Sequence, residues 1–329
     1  MPDPILITGA TGFLGKHLVE QLRSAPAPPP LRILNYGPCP WAGQPGLEVV
    51  DGDILDFARV RDVMAGCSRV YHLAGFVSRK PSDLWKMYDI HILGTRNVCE
   101  AALEHRPEKL VVVSTSGTIA VSRDPVARDE TAPYPEDLVH RWDYYVSKIY
   151  AEKLALAYAL DRGLPIVFCN PALLLGPGDD FGSSTGDVAL FLAGQVLAVP
   201  PGGLCFVDAR DAAAGLIAAM KHGRAGERYL LGGPNWTFQE FLARLGEASG
   251  KRPPSLRSSR ALSLWTAKLL RRVLPLIGKR FDLDDVSIEM SAVFWFCDSS
   301  KARTELGFSP RDPMETLRDT VEYLRRRTA

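Results

Sequence analysis

Short apolar runs separated by segments of helical periodicity recur through the first half of the chain. Ile5-Leu6-Ile7 has the character of a buried strand, and Lys16-His17-Leu18-Val19-Glu20-Gln21-Leu22 places its apolar residues on one helical face. Leu31–Leu34 and Leu47–Val50 read as the next strands, and Arg69–Gly75 as a strand and turn. Gly94–His105 predicts a helix, Leu110–Val113 a β-branched strand, Tyr144–Leu160 a long helix and Pro165–Cys169 another strand. Strands alternating with helices predict an α/β fold with a doubly wound parallel sheet. In such sheets ligands lie outside the carboxyl ends of the strands. Asp53, Gly75, Thr115 and Asn170 are expected just past those ends, so the fold itself would gather them.

The second half is less regular. Leu204–Ala219 reads as a strand followed by a helix that rejoins the sheet. The expected division is a nucleotide-binding domain over 1–175, with 204–232 returning to its sheet. A smaller, mostly helical C-terminal substrate-binding cap would take 176–203 and 233–329. Residues 24–30, Ser-Ala-Pro-Ala-Pro-Pro-Pro, predict a stiff surface connection without a catalytic role. Residues 261–278 are apolar with three cations. They predict a cap helix packed on the core, with an interfacial membrane helix as the alternative.

Composition narrows the classes. The 329 residues carry a formal net charge of +1, against a binder driven by phosphate neutralisation, so nucleic acid is not an expected partner. Cys39, Cys67, Cys99, Cys169, Cys205 and Cys297 are scattered singly and form no Cys-x-x-Cys pair. Neither a metal site nor a redox dithiol is expected from that spacing. The short approach to the first strand predicts no signal peptide, and no apolar run has the length of a bilayer span. A reducing, cytoplasmic setting is expected.

The turn after the first strand is Thr8-Gly9-Ala10-Thr11-Gly12-Phe13-Leu14-Gly15. Backbone N–H groups at a helix start hold a phosphate pair best when no side chain intervenes, and Gly9, Gly12 and Gly15 meet that need. An acid at the end of the second strand would bind a ribose 2′-hydroxyl, and a base would accept a 2′-phosphate. Asn35-Tyr36-Gly37-Pro38 offers neither. With no acid to repel a 2′-phosphate, the reading inclines to NADP(H) over NAD(H).

With Gly52-Asp53, His72-Leu73-Ala74-Gly75, Gly94-Thr95-Arg96-Asn97-Val98, Tyr144-x-x-x-Lys148 and Gly176-Pro177-Gly178-Asp179 added to that turn, the chain resembles the extended short-chain dehydrogenases/reductases. This is the NAD-dependent epimerase/dehydratase family. Phe206–Asp211 and Gly226–Gly233 carry the likeness into the second half. Within the family it is most similar to the dihydroflavonol-4-reductase-like and 3β-hydroxysteroid dehydrogenase-like branch. The resemblance implies a Rossmann sheet with a nicotinamide dinucleotide against Gly9, Thr11, Gly12, Phe13, Leu14, Gly15, Asp53, Ile54, Ala74, Gly75, Tyr144, Lys148, Asn170 and Pro171. It also implies a homodimer paired through the Tyr-x-x-x-Lys helix and its neighbour.

By the same resemblance Tyr144 is the general acid/base, and Lys148, one turn on, favours its phenolate and grips the nicotinamide ribose. Thr115 would hydrogen-bond the substrate carbonyl, with Ser116 as second choice. The family's Asn three residues before Gly94 is replaced by His91. A packed His bonding as the Asn would is expected, with titration near neutral pH the alternative. Thr115 is followed by Ser116-Gly117 instead of the Asp-Glu pair of sugar-nucleotide dehydratases. Leu173 stands where many nucleotide-sugar epimerases carry Asn. The substrate is therefore expected to be an apolar ketone or alcohol. Its walls would include Phe76, Thr115, Trp142, Tyr144 and Phe181, with Trp85, Tyr134, Leu190 and Phe191 in neighbouring segments. The expected activity is that of a nicotinamide-dependent reductase or dehydrogenase. A sugar epimerase and a dinucleotide-binding regulator without turnover are the alternatives.

Overall fold

The computed structural model describes residues 3–78, 81–259 and 285–328. Seven parallel strands form the central sheet in the order β3-β2-β1-β4-β5-β6-β9. They are β1 (Ile5–Thr8), β2 (Leu31–Asn35), β3 (Leu47–Asp51), β4 (Arg69–His72), β5 (Lys109–Val113), β6 (Ile166–Pro171) and β9 (Arg228–Leu231). The order reverses between β1 and β4, the switch point at which this topology opens a crevice for a ligand.

The strands read as apolar runs because both faces are covered. Ile5 and Ile7 pack with α1 (Phe13–Arg23), while Leu6 packs with α2 (Phe57–Met64) on the other face. After β4 come α3 (Leu84–Tyr88), a single π turn (Asp89–Leu93) and α4 (Gly94–His105). The short α5 (Glu136–Val139) precedes α6 (Asp143–Arg162), which carries Tyr144 and Lys148.

Beyond β6 the structure departs from the simplest expectation. Strand β8 (Gly203–Asp208) does not enter the central sheet. It pairs with β7 (Leu173–Leu175), β10 (Asn235–Thr237) and Phe294–Trp295 in a second, four-stranded sheet. Every residue of β8 is buried, and a run buried on both faces carries no mark of which sheet it joins. It is the following helix α8 (Ala209–His222) that returns, packing on α1 and on β5 and β6. β9 then adds the edge strand beside β6.

The second sheet packs with α7 (Gly186–Leu192), α9 (Phe238–Ser249) and the C-terminal helix Pro313–Thr328 around Leu175, Phe206, Phe241 and Leu317. The segment 261–278, read as a cap helix, lies outside the described residues. No helix among the described residues is long and apolar enough to cross a membrane. All six cysteines are free thiols. The fold nevertheless brings Cys205 and Cys297 side by side, their sulfurs 3.4 Å apart, which the scattered sequence positions do not suggest.

Candidate active site

The glycine turn sits at the switch point, between β1 and α1. Gly9 has φ +73°, and a Cβ there would lie 2.6 Å from the Ala74 nitrogen. A Cβ on Gly15 would lie 2.2 Å from the Gly9 carbonyl oxygen. Both positions therefore exclude a side chain, and Gly12 caps α1 with bare backbone. Phe13 and Leu14 are buried beneath the turn, whereas Gly9, Thr11 and Gly12 keep a partly open surface. Ala74 is fastened to the same place by its N–H, given to the Thr8 hydroxyl at 3.2 Å.

An open cleft of about 470 Å³ lies at the ends of β2 and β3, lined by Asn35, Tyr36, Gly37, Asp51, Gly52 and Asp53. Parallel register puts Asp51 beside Asn35. The lining thus holds two carboxylates and no Lys or Arg. Arg59, which reaches this end of β3, gives its Nε–H to the Asp51 carbonyl oxygen at 2.8 Å. Asn35 Oδ1, Ser114 Oγ and Asn170 Oδ1 are buried without a hydrogen-bond partner, at or just past the carboxyl ends of β2, β5 and β6. Orphaned polar atoms along such an edge, beside a cradle that refuses any Cβ, fit a polar ligand lying across the strand ends. Ile54 is buried behind the cleft, held by its carbonyl oxygen accepting from Asn97 Nδ2 at 3.0 Å.

At the other end of the crevice α6 presents Tyr144 and Lys148 toward the end of β5. Lys148 Nζ donates to the Val113 carbonyl oxygen at 2.9 Å. Burial lowers the Lys148 ammonium to about 8, opposed by the Glu152 carboxylate. Burial also pushes the Tyr144 phenol up to about 12, so without a bound cation the phenol is neutral. Thr115 opens a short 3-10 turn, its Oγ1 accepting from the Gly117 N–H at 3.3 Å. It keeps a partly open surface, whereas Ser116 is buried at 5% exposure.

Asn170 lies within β6 instead of past its end. Its amide is drawn inward, donating to Glu152 Oε2 at 2.8 Å and to the Thr115 carbonyl oxygen at 3.2 Å. Pro171, the last residue of β6, is buried beside it. His91 is a packed residue. It sits on the π turn, accepts the Phe76 N–H at Nε2 (3.1 Å) and lies with Nδ1 2.8 Å from the Ser147 hydroxyl. Since Ser147 donates to the Tyr144 carbonyl oxygen, His91 carries its proton on Nδ1 and gives it to Ser147. Burial holds its pKa well below the usual imidazole range, so it stays neutral.

The aromatic expectations divide. Phe76 is half-buried beside Gly75 and His91. Trp142 is buried at 3% in a cluster with Tyr145 and Trp295, and Tyr145 in turn packs edge-on against Tyr144. Trp142 thus backs the site and does not line its open surface. Phe181 is 82% exposed, on a loop whose neighbour Asp180 pairs with Lys16 of α1. Trp85 also projects into solvent, Phe191 belongs to the cap core, and Tyr134 stacks under Arg228. Trp295, Glu152 and Arg228 were not singled out from sequence. Glu152 continues the spacing of Tyr144 and Lys148 along one helix face, a signal present in the sequence.

The model of the NAD dependent epimerase/dehydratase family matches residues 5–232. The chain belongs to this family. It is 31% identical over 327 residues to sterol demethylase protein B of Methylococcus capsulatus, covering 98% of each chain. It is 33% identical over 340 residues to a putative dihydroflavonol 4-reductase of Synechocystis, covering 98% of this chain and 95% of that one. The crystal structure of gox2253 superposes with a TM-score of 0.85 at 28% identity, over 99% of this chain and 98% of that one. The family match ends one residue after β9, so it spans the whole central sheet. The family is one of nicotinamide-dependent enzymes, the extended short-chain dehydrogenases/reductases, and relatives of the chain include proteins named as reductases and dehydrogenases.

Proposed function

We propose that the protein interconverts a ketone and a secondary alcohol of a largely apolar small molecule, with NAD(H) as partner. The observation that carries this reading is Lys148 Nζ on α6 donating to the Val113 carbonyl oxygen, two residues before Thr115, with Tyr144 one turn back on the same helix. Bound nicotinamide supplies the hydride. During reduction the carbonyl oxygen gains negative charge. The Thr115 hydroxyl donates a hydrogen bond to it, and the Tyr144 phenol donates a second and then its proton. The Lys148 ammonium stabilises the phenolate that remains. Since Lys148 titrates near 8, reduction is expected to be lost as pH rises through that value.

The apolar substrate is supported by Leu173 in place of a polar contact and by the half-buried Tyr145 and Trp295 beside Tyr144. The names of the two full-length relatives, sterol and dihydroflavonol, point the same way. For the cofactor, the inclination to NADP(H) gives way to NAD(H). The end of β2 has a neighbour across the sheet, where β3 brings Asp51 beside Asn35. A 2′-phosphate would face the carboxylates of Asp51 and Asp53 with no Lys or Arg in the lining, whereas a 2′-hydroxyl could donate to the orphaned Asn35 Oδ1.

The test is loss of reduced-nicotinamide absorbance with NADH and NADPH in parallel. The substrate panel is steroidal, aromatic and aliphatic ketones, with UDP-sugars as controls. Ketone-dependent oxidation is expected, with kcat/KM favouring NADH by about tenfold or more, equivalent to about 1.4 kcal/mol. Preference for NADPH would overturn the cofactor assignment. Interconversion of a sugar nucleotide with no ketone turnover would replace the reductase by an epimerase.

A further inference from the structure

We propose that Glu152, anchored by Arg228, is a positioning residue of this site: its carboxylate fixes the Thr115 turn through Asn170 and is the counter-charge of the Lys148 ammonium. The proposal rests on the reading that Thr115, Tyr144 and Lys148 carry the chemistry.

Glu152 lies four residues after Lys148 and eight after Tyr144, so all three share one face of α6. It is 2% exposed, and both of its oxygens are used. Oε1 accepts from Arg228 Nε at 2.8 Å and from the Tyr134 hydroxyl at 3.2 Å. Oε2 accepts from Asn170 Nδ2 at 2.8 Å and lies 3.0 Å from the Thr118 hydroxyl. The same two partners reach the Thr115 carbonyl oxygen, Asn170 Nδ2 at 3.2 Å and Thr118 Oγ1 at 2.9 Å. Thr118 has one hydroxyl proton and serves one of these acceptors at a time, whereas the two Nδ2 protons of Asn170 bridge the backbone that aims the Thr115 hydroxyl to the carboxylate.

Stability alone gives little reason for the pair. A buried ion pair is commonly replaceable by apolar side chains of similar volume without loss. Its place in the site gives a reason. The groups that act on Lys148 or on which it acts are His72 on β4, His91 on the π turn and Glu152 on α6, with Tyr144 one turn back on the same helix. Burial keeps His72 neutral, with a pKa of about 3, and His91 is neutral as well. Tyr144 is an uncharged phenol, and Arg228 is engaged by Glu152. Glu152 is the anion of this set, and it raises the affinity of Lys148 for its proton against the effect of burial. Without that charge, Lys148 would lose its proton at a lower pH.

The experiment compares native full-length protein with Glu152→Gln, Glu152→Asp and the double variant Glu152→Gln/Arg228→Met. Two profiles are recorded from pH 6 to 9.5. One is kcat/KM for reduction of whichever ketone the panel identifies. The other is NADH affinity by fluorescence, which needs no ketone. Thermal melts report folding. In Glu152→Gln the alkaline limb of both profiles is expected to move down by about one pH unit. The loss in rate would be about fivefold at pH 8, approaching tenfold at pH 9.5 and smaller at pH 6.5. Glu152→Asp keeps the charge and should keep the limb while losing rate. The double variant removes the unpaired cation, so its melt should approach native while its limb stays shifted. A uniform loss with an unmoved limb would overturn the proposal, as would a native limb in the double variant. If native protein turned over no ketone, the reaction reading would fail, and the NADH profiles would still decide the role of Glu152.

Discussion

Replacing Tyr144 by Phe is expected to cut ketone reduction by about 10²–10⁴-fold, the usual contribution of a positioned acid/base group. The substitution removes one oxygen and leaves the ring. The edge-on contacts of that ring with Tyr145 and His91 should survive, at centroid distances of 5.1 and 5.7 Å. Folding and dinucleotide binding should therefore stay near native, and the loss should appear in kcat. The measurement is steady-state reduction beside NADH fluorescence titration of the same preparation. A kcat within threefold of native would remove Tyr144 from the proton transfer. Equal collapse of kcat and NADH affinity would make its role one of binding.

The second large effect is expected at Gly15. An alanine methyl there would lie 2.2 Å from the Gly9 carbonyl oxygen and 2.7 Å from that of Ala10. Both obstacles are backbone atoms of the phosphate turn, so relief requires moving either the turn or the start of α1. Overpacking of this kind costs about 1–3 kcal/mol, and the displaced N–H groups are those expected to hold the pyrophosphate. Gly15→Ala should lower Tm by several degrees and weaken NADH binding by more than tenfold. Gly186→Ala is the matched control: no atom lies within 4 Å of its Cβ, and it should change neither reading. Native-like NADH affinity in Gly15→Ala would show that the turn is not a phosphate cradle.

The dinucleotide half was largely legible in the sequence. Parallel strands buried on both faces leave continuous apolar runs, and helices between them leave a period near four. The second sheet was not legible. β7 and β10 have three residues each and Phe294–Trp295 two, too short for any pattern to register. At the candidate site, the shared helix face of Tyr144 and Lys148 was visible because their spacing is local. Arg228 and Trp295 come from distant segments that meet α6 only in the folded chain. The end of β2 shows the same limit: Asn35 is visible in its own strand, while Asp51 stands beside it only across the sheet, in register.

The position of β9 bears on modularity. A boundary near residue 175 looks natural in the sequence, since the glycine turn, Thr115, Tyr144 and Lys148 all precede it. Yet β9 is the outer neighbour of β6, and its first residue, Arg228, is the counter-ion of the carboxylate beneath the site. Cutting there would expose a hydrogen-bonding edge and leave Glu152 charged and unpaired, a loss of about 3–5 kcal/mol when one member of a buried pair is removed. The central sheet is thus sewn shut by a strand made only after the whole of β8, the second sheet's longest strand, has been laid down. Exchange of caps between relatives would have to graft around β9 and α8, keeping both with the recipient's own dinucleotide half. Specificity in this lineage can then be recombined only in pieces that respect that stitch.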